Sequence, residues 1–179
     1  MTERKRVYST QAIVIVGLLM GMDLILSRFL AIQTPITRIT FGFLPSALIG
    51  ILFGPWTAGI AGALTDIVGT VLFSRGGPFF IGFTLSAFLG SFFYGLFLHK
   101  KEVTLWRVIA AVVVNTLFVN LTLNTLWLVL MFEEAWMAIL PVRILQNAVV
   151  APVRVALIYF VAKNPTLKRV YMKFSTAKS

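Results

Sequence analysis

Cysteine is absent from this chain, which excludes disulfides, thiolate metal sites and a cysteine nucleophile. Histidine occurs once, at His99, beside Lys100 and Lys101 in a short polar gap, a poor setting for a metal centre. Acidic residues are scarce, six against sixteen Lys and Arg, so the chain carries a net charge of +10. No G-x-x-x-x-G-K-[ST] loop is present, so any use of ATP belongs to another subunit. Neither G-x-S-x-G nor H-E-x-x-H occurs, and no cofactor or metal motif stands out. An inverted repeat of the kind secondary transporters carry is not apparent either. These absences argue against an enzyme and against a self-powered pump.

Apolar sequence fills the space. Hydrophobic residues make up 59% of 179 and charged residues 12%, with mean hydropathy +0.92, too apolar for a soluble domain of this length to cover. The basic residues sit at the ends and in gaps between apolar runs, which fits membrane topology rather than nucleic-acid binding. The expectation is an all-α integral membrane protein, a six-transmembrane-helix bundle forming one domain over 1–179. Its spans run approximately 10–31, 41–53, 56–73, 79–98, 108–131 and 141–162. Arg4, Lys5 and Arg6 precede a run long enough to span, so the first helix is retained and starts in the cytoplasm. On this topology eleven Lys and Arg lie inside, three outside (Arg38, Arg75, Arg143) and two within spans (Arg28, Arg154). That asymmetry places both termini in the cytoplasm.

The stretch from Arg38 to Asp66 is the most informative. It opens with a cation, joins two apolar runs through Gly54-Pro55, and closes with a carboxylate inside apolar sequence. Gly59, Gly62, Asp66, Gly69 and Thr70 share a helical stripe, so Asp66 faces a tightly packed seam. An ionisable group at membrane depth needs a partner or a ligand. Arg154, in the last span, requires neutralising too, and Asp66 or Asp23 can supply it. Gly17 and Gly21 form a G-x-x-x-G pair that admits a close helix approach, internal or external. Thr116, Asn120, Asn124 and Trp127 share a stripe in the fifth span, and Arg143, Asn147, Val150 and Arg154, with Gln146 alongside, share one in the sixth. Arg28, Arg38, Arg75 and Arg143 gather toward the outside, which suits an anionic ligand or lipid headgroups.

Ser27-Arg-Phe29, Arg38-Ile-Thr-Phe-Gly-Phe-Leu-Pro45, Leu52-Phe-Gly-Pro-Trp-Thr-Ala-Gly59, Ala63-Leu-Thr-Asp66 and Gly82-Phe-Thr-Leu-Ser-Ala87 stand out as extended motifs. These stretches resemble the folate-specific substrate-binding (S) components of energy-coupling factor (ECF) vitamin transporters. The resemblance implies capture of folate or reduced folates from outside a prokaryotic plasma membrane, by a multi-pass protein with no cofactor. It further implies docking on a transmembrane scaffold subunit that carries two ATPases. The family's small-x-x-x-small docking motif on helix one, usually Ala-x-x-x-Ala, falls on Gly17 and Gly21 here. With folate as ligand, Phe79, Phe80 or Trp127 can stack on the rings. Asn120, Asn124, Gln146 or Asn147 can bond the pterin edge, and Arg28, Arg38, Arg75 or Arg143 can hold the carboxylates. Asp66 is expected to pair with Arg154 as structure, with Asp23 a further buried charge. Alternative readings are an S component for another aromatic vitamin such as thiamine, an autonomous small secondary carrier, and an intramembrane enzyme using Asp23 and Asp66.

Overall fold

A computed structural model describes residues 10–33, 38–73, 79–132 and 136–165, without the side chains of 32, 33, 38, 132 and 136–139. Helix α1 (Thr10–Arg28) leads through strand β1 (Ile32–Gln33) and strand β2 (Arg38–Ile39) into helix α2 (Phe43–Phe53). The two short strands pair antiparallel, Ile32 opposite Ile39 and Gln33 opposite Arg38. The connection after α1 is therefore a small ribbon. Helices α3 (Pro55–Leu72) and α4 (Ile81–Leu98) follow. Next comes a continuous helical stretch made of α5 (Leu105–Val114), a π-helical segment (Asn115–Leu123) and α6 (Asn124–Phe132). Helix α7 (Trp136–Ala162) completes the described fold and runs through both Pro141 and Pro152. It begins before the expected start at 141, so Pro141 falls in its second turn, where the helix continues with one backbone hydrogen bond fewer.

Among the described residues, four helical stretches are long and apolar enough to cross a membrane: Thr10–Arg28, Ile81–Leu98, Leu105–Met131 and Leu140–Ala162. Large apolar side chains face outward on most helices, among them Leu18 on α1, Val71 on α3, Ile81 on α4 and Phe160 on α7. An exterior of this kind is stable against lipid and aggregation-prone against water.

Helix α2 lies at the centre. Every residue from Pro45 to Leu52 is buried, as expected for a helix apolar all round. One side of it joins Tyr94, Leu98, Val108, Ala111, Val112 and Ile158, drawing α4, α5 and α7 together. The other side joins Leu19, Ala58 and Ala61 from α1 and α3. Bare backbone makes the tightest crossing: a Cβ added at Gly50 would lie 2.6 Å from the Gly95 nitrogen, and one at Gly95 would lie 2.6 Å from the Pro55 nitrogen. Gly54 supplies the turn between α2 and α3 with φ 96°, a conformation that favours glycine. Pro55 then opens α3. The His99 ring packs against Gly54, and its Nδ1–H donates to the Ile51 carbonyl at 3.0 Å. The single histidine thus closes the end of α2.

Candidate functional site

The glycines of α3 serve two neighbours. Gly59 and Gly62 make room for Phe88 and Ser91 of α4, whereas Gly69 makes room for the Arg28 side chain of α1. Arg28 uses that room to reach Asp66, with Nη2 3.9 Å from Oδ1, and donates from Nη2 to the Thr70 hydroxyl at 3.0 Å. Thr84 of α4 donates to Asp66 Oδ2 at 2.9 Å. One carboxylate therefore ties the end of α1 and the start of α4 to α3.

This arrangement corrects the expected Asp66–Arg154 pair. Helical phase put both residues toward the bundle, but Arg28 reaches Asp66 from a nearer helix. Asp23 is not the partner of Arg154 either; it accepts a 2.6 Å hydrogen bond from Ser46 across the α1–α2 contact. Gly42 is bare at that contact because a Cβ there would strike the Asp23 carboxylate. Arg154 instead lies over the Phe43 ring, 5.6 Å from its centroid. No carboxylate pairs with Arg154 or Arg143 among the described residues.

An aromatic corner forms where α4 begins. Trp127 donates from Nε1 to Ser86 Oγ at 3.0 Å and approaches Phe80 with centroids 5.6 Å apart. Phe83 meets Phe80 edge-on at 6.0 Å. Gly82 lies beneath, since a Cβ there would intrude on both Phe80 and Trp127. The structure thus brings Phe80 and Trp127 together, while Phe79 stays half exposed. Thr84 and Ser86 hold this corner and were not among the expected site residues. Their signal lay in the Gly82-Phe-Thr-Leu-Ser-Ala87 stretch, where two small hydroxyls alternate with apolar residues at the start of a helix.

The π-helical segment replaces the simple stripe expected for Thr116, Asn120, Asn124 and Trp127. Within it side chains bond carbonyls five residues back: Asn120 Nδ2 reaches Asn115 O at 3.5 Å and Thr122 Oγ1 reaches Leu117 O at 2.9 Å. Asn115 anchors the segment to α4 through the Gly90 carbonyl at 2.7 Å. Asn124 follows at the first position of α6, and its Oδ1 is buried without a hydrogen-bond partner.

On α7, Asn147, Val150 and Ile158 are buried, which turns the stripe holding Arg143 and Arg154 toward the bundle. Asn147 Nδ2 donates to the Arg143 carbonyl at 2.8 Å. The Arg143 guanidinium keeps two buried donors, Nε and Nη1, with no acceptor. Gln146, three residues further along α7, is half-buried. Buried polar atoms are nearly always satisfied, so orphaned ones mark a place where a ligand or water completes the set. The Arg38 side chain and Arg75 lie outside the described residues.

Gly17 and Gly21 behave unlike the seam glycines, because a Cβ at either meets nothing within 4 Å. Ile13, Val14, Leu18 and Met22 around them are exposed. This side of α1 is not covered by the described residues of the chain.

Comparison with known proteins agrees with these features. Residues 11–162 match the family described as ECF transporter, substrate-specific component. The folate transporter FolT of Clostridium novyi (strain NT) is 44% identical over 138 residues, covering 77% of this chain and 80% of that protein. FolT of Leuconostoc mesenteroides subsp. mesenteroides is 31% identical over 170 residues, covering 92% and 91%. A crystal structure of FolT bound with folic acid superposes with a TM-score of 0.81 at 39% identity, covering 86% of this chain and 93% of that one. The matched region reaches from the first helix to the last described one, and this chain belongs to the substrate-specific components of ECF transporters.

Proposed function

We propose that this chain captures folate from the outer side of a prokaryotic plasma membrane and presents it to an ATP-driven ECF module. The module consists of a transmembrane scaffold subunit and two ATPases. In this reading the chain is a single membrane domain with six spans and both termini in the cytoplasm. The Lys and Arg asymmetry supports that orientation. The observation that carries the ligand assignment is the Arg143 guanidinium, with two buried donors lacking acceptors. A carboxylate of the folate glutamate supplies those acceptors. The FolT names of the relatives favour folate over other aromatic vitamins.

Phe80 and Trp127 form the stacking corner for the flat rings, and Asn124 Oδ1, free and buried, accepts from a ring amine. Asn120, Gln146, Asn147 and Phe79 line the approach, with Arg38 and Arg75 supplying outer positive charge. Arg28 acts mainly through Asp66, as part of the frame. Gly17 and Gly21 form the docking face for the scaffold, where the bare backbone lets a helix approach closely. Binding requires no ATP, because the chain has no phosphate loop.

The test is isothermal titration of the detergent-purified chain with folic acid in the absence of nucleotide. Tight one-to-one binding is the expected result. Absence of binding to folic acid and to reduced folates refutes the substrate assignment.

A further inference from the structure

Arg154 lies deep in α7, eleven residues beyond Arg143, in a setting that a purely structural arginine does not explain. Both acids that were candidates to neutralise it are engaged elsewhere, Asp66 by Arg28 and Thr84, Asp23 by Ser46. Its guanidinium rests over Phe43, 5.6 Å from the ring centroid. That contact uses the face of the cation, and it leaves the in-plane N–H donors still requiring acceptors. Nε is buried and has none. Phe43 itself packs on the apolar cluster of Ala47, Ile51, Tyr94 and Ile158. The cation therefore sits on a dry floor with donors to spare.

Its position relative to Arg143 is equally informative. Eleven residues at 100° each return within about 20° of the same azimuth, so the two arginines share one face of α7. They are separated along the axis by about 16 Å. Buried Asn147 and Val150 lie between them on that face. An extended pteroylglutamate has a comparable reach from the acceptor edge of its bicyclic ring to its carboxylates. A carboxylate suits Arg143, toward the outer end. A neutral oxo and imine edge suits the deeper arginine, since it offers acceptors without carrying a further charge into the membrane.

We propose that Arg154 is a specificity-determining residue that donates to the oxo–imine edge of the bound pterin ring, with Phe43 as the platform fixing its guanidinium. This rests on the folate reading above, and it assigns the two ends of the ligand to the two arginines of α7. It moves Arg154 from structural counter-ion to ligand contact.

The experiment measures binding of two probes to detergent-purified protein: folic acid, and its analogue in which the ring oxo group is replaced by an amino group. The replacement turns an acceptor into a donor, so wild type is expected to prefer folic acid by about 10- to 100-fold, the scale of one charge-assisted hydrogen bond. Arg154→Gln is expected to weaken folic acid by a similar factor and to bring the preference close to one. Arg154→Lys, with a charge but no Nε donor or planar fork, serves if the glutamine variant does not fold, and it too is expected to lose most of the preference. A variant that retains the wild-type preference overturns the proposal, whatever its overall affinity, as does a wild type that binds both probes equally. Wild type that binds neither probe overturns the folate reading and this proposal together, whereas folic acid binding with an unchanged preference overturns this one alone.

Discussion

Replacing Gly50 with alanine adds a single methyl group where α2 crosses α4, and the structure fixes what that methyl meets. The new Cβ would lie 2.6 Å from the Gly95 nitrogen, 3.0 Å from its Cα and 3.2 Å from the Tyr94 carbonyl carbon. All three are backbone atoms, so no side chain can swing away. Restoring ordinary contact requires the two helices to part by about 0.8 Å there. Overpacking of this kind costs about 1–3 kcal/mol, and the better helix propensity of alanine returns about 0.5–1 kcal/mol. The net loss is about 1–2 kcal/mol, or about 3–6 °C in melting temperature for a chain of this length. Gly17→Ala is the internal control, because its Cβ meets nothing within 4 Å. It is expected to melt at or slightly above wild type. Thermal unfolding of the three proteins in one detergent decides the matter. A Gly50→Ala variant as stable as wild type, or a Gly17→Ala variant destabilised by as much, refutes the distinction between seam and open glycines.

Arg143→Ala is expected to weaken folic acid by about 10- to 100-fold while changing pteroic acid, which lacks the glutamate, by less than about threefold; equal losses on both ligands in titration refute the carboxylate role. Asp66→Asn leaves Arg28 without its counter-ion and is expected to lower stability by about 1–3 kcal/mol. A double-mutant cycle with Arg28→Gln should show strong coupling, and additivity in thermal melts would sink the pair as drawn. Gly17→Leu and Gly21→Leu are expected to leave folic acid binding intact yet abolish uptake with the full ECF module in proteoliposomes; lost binding would mean that this face packs within the chain. Trp127→Phe keeps the stack on Phe80 but removes the donor to Ser86, and about a tenfold loss of folic acid affinity is expected, whereas an unchanged affinity would place the ring elsewhere.

Much of the helical layout is legible in the sequence because apolar runs and their punctuation are local signals. Gly54-Pro55 announces the α2–α3 turn in two letters, and the observed φ of 96° at Gly54 is the reason glycine stands there. The partners of buried charges are not legible in the same way. A helical wheel gives the side of α3 on which Asp66 lies, but not which of several inward-facing arginines comes within reach. Arg28 wins because Gly69 clears a path for it, a fact about two helices rather than one. The π-helical turns from Asn115 to Leu123 are hidden for a different reason. The same apolar residues satisfy α and π geometry alike, and what accompanies the wide turns is a set of hydrogen bonds from the Asn120, Thr122 and Thr125 side chains to the carbonyls of Asn115, Leu117 and Asn120. At the candidate site, residue types and helical stripes pointed to Arg143, Asn124 and Trp127. Thr84 and Ser86 read as ordinary small residues of a membrane helix until their partners are visible.

The π-helical segment also works as a phase shifter. Each of its wide turns holds one more residue than an α turn, so the helical wheel below it and the wheel above it are not in register. Val108, Ala111 and Val112 of α5 point into the apolar cluster, while beyond the shift Asn124 and Trp127 are turned toward buried and aromatic surroundings of their own. A regular α-helix would have bound the two sets of residues to one fixed angular relation. With the extra residue per turn, the lower half can be chosen for packing and the upper half for chemistry, each free of the other's periodicity. The wide turns of 115–123 are thus where the change of phase is absorbed, leaving Trp127 on Ser86 above it and the packing of α5 below it.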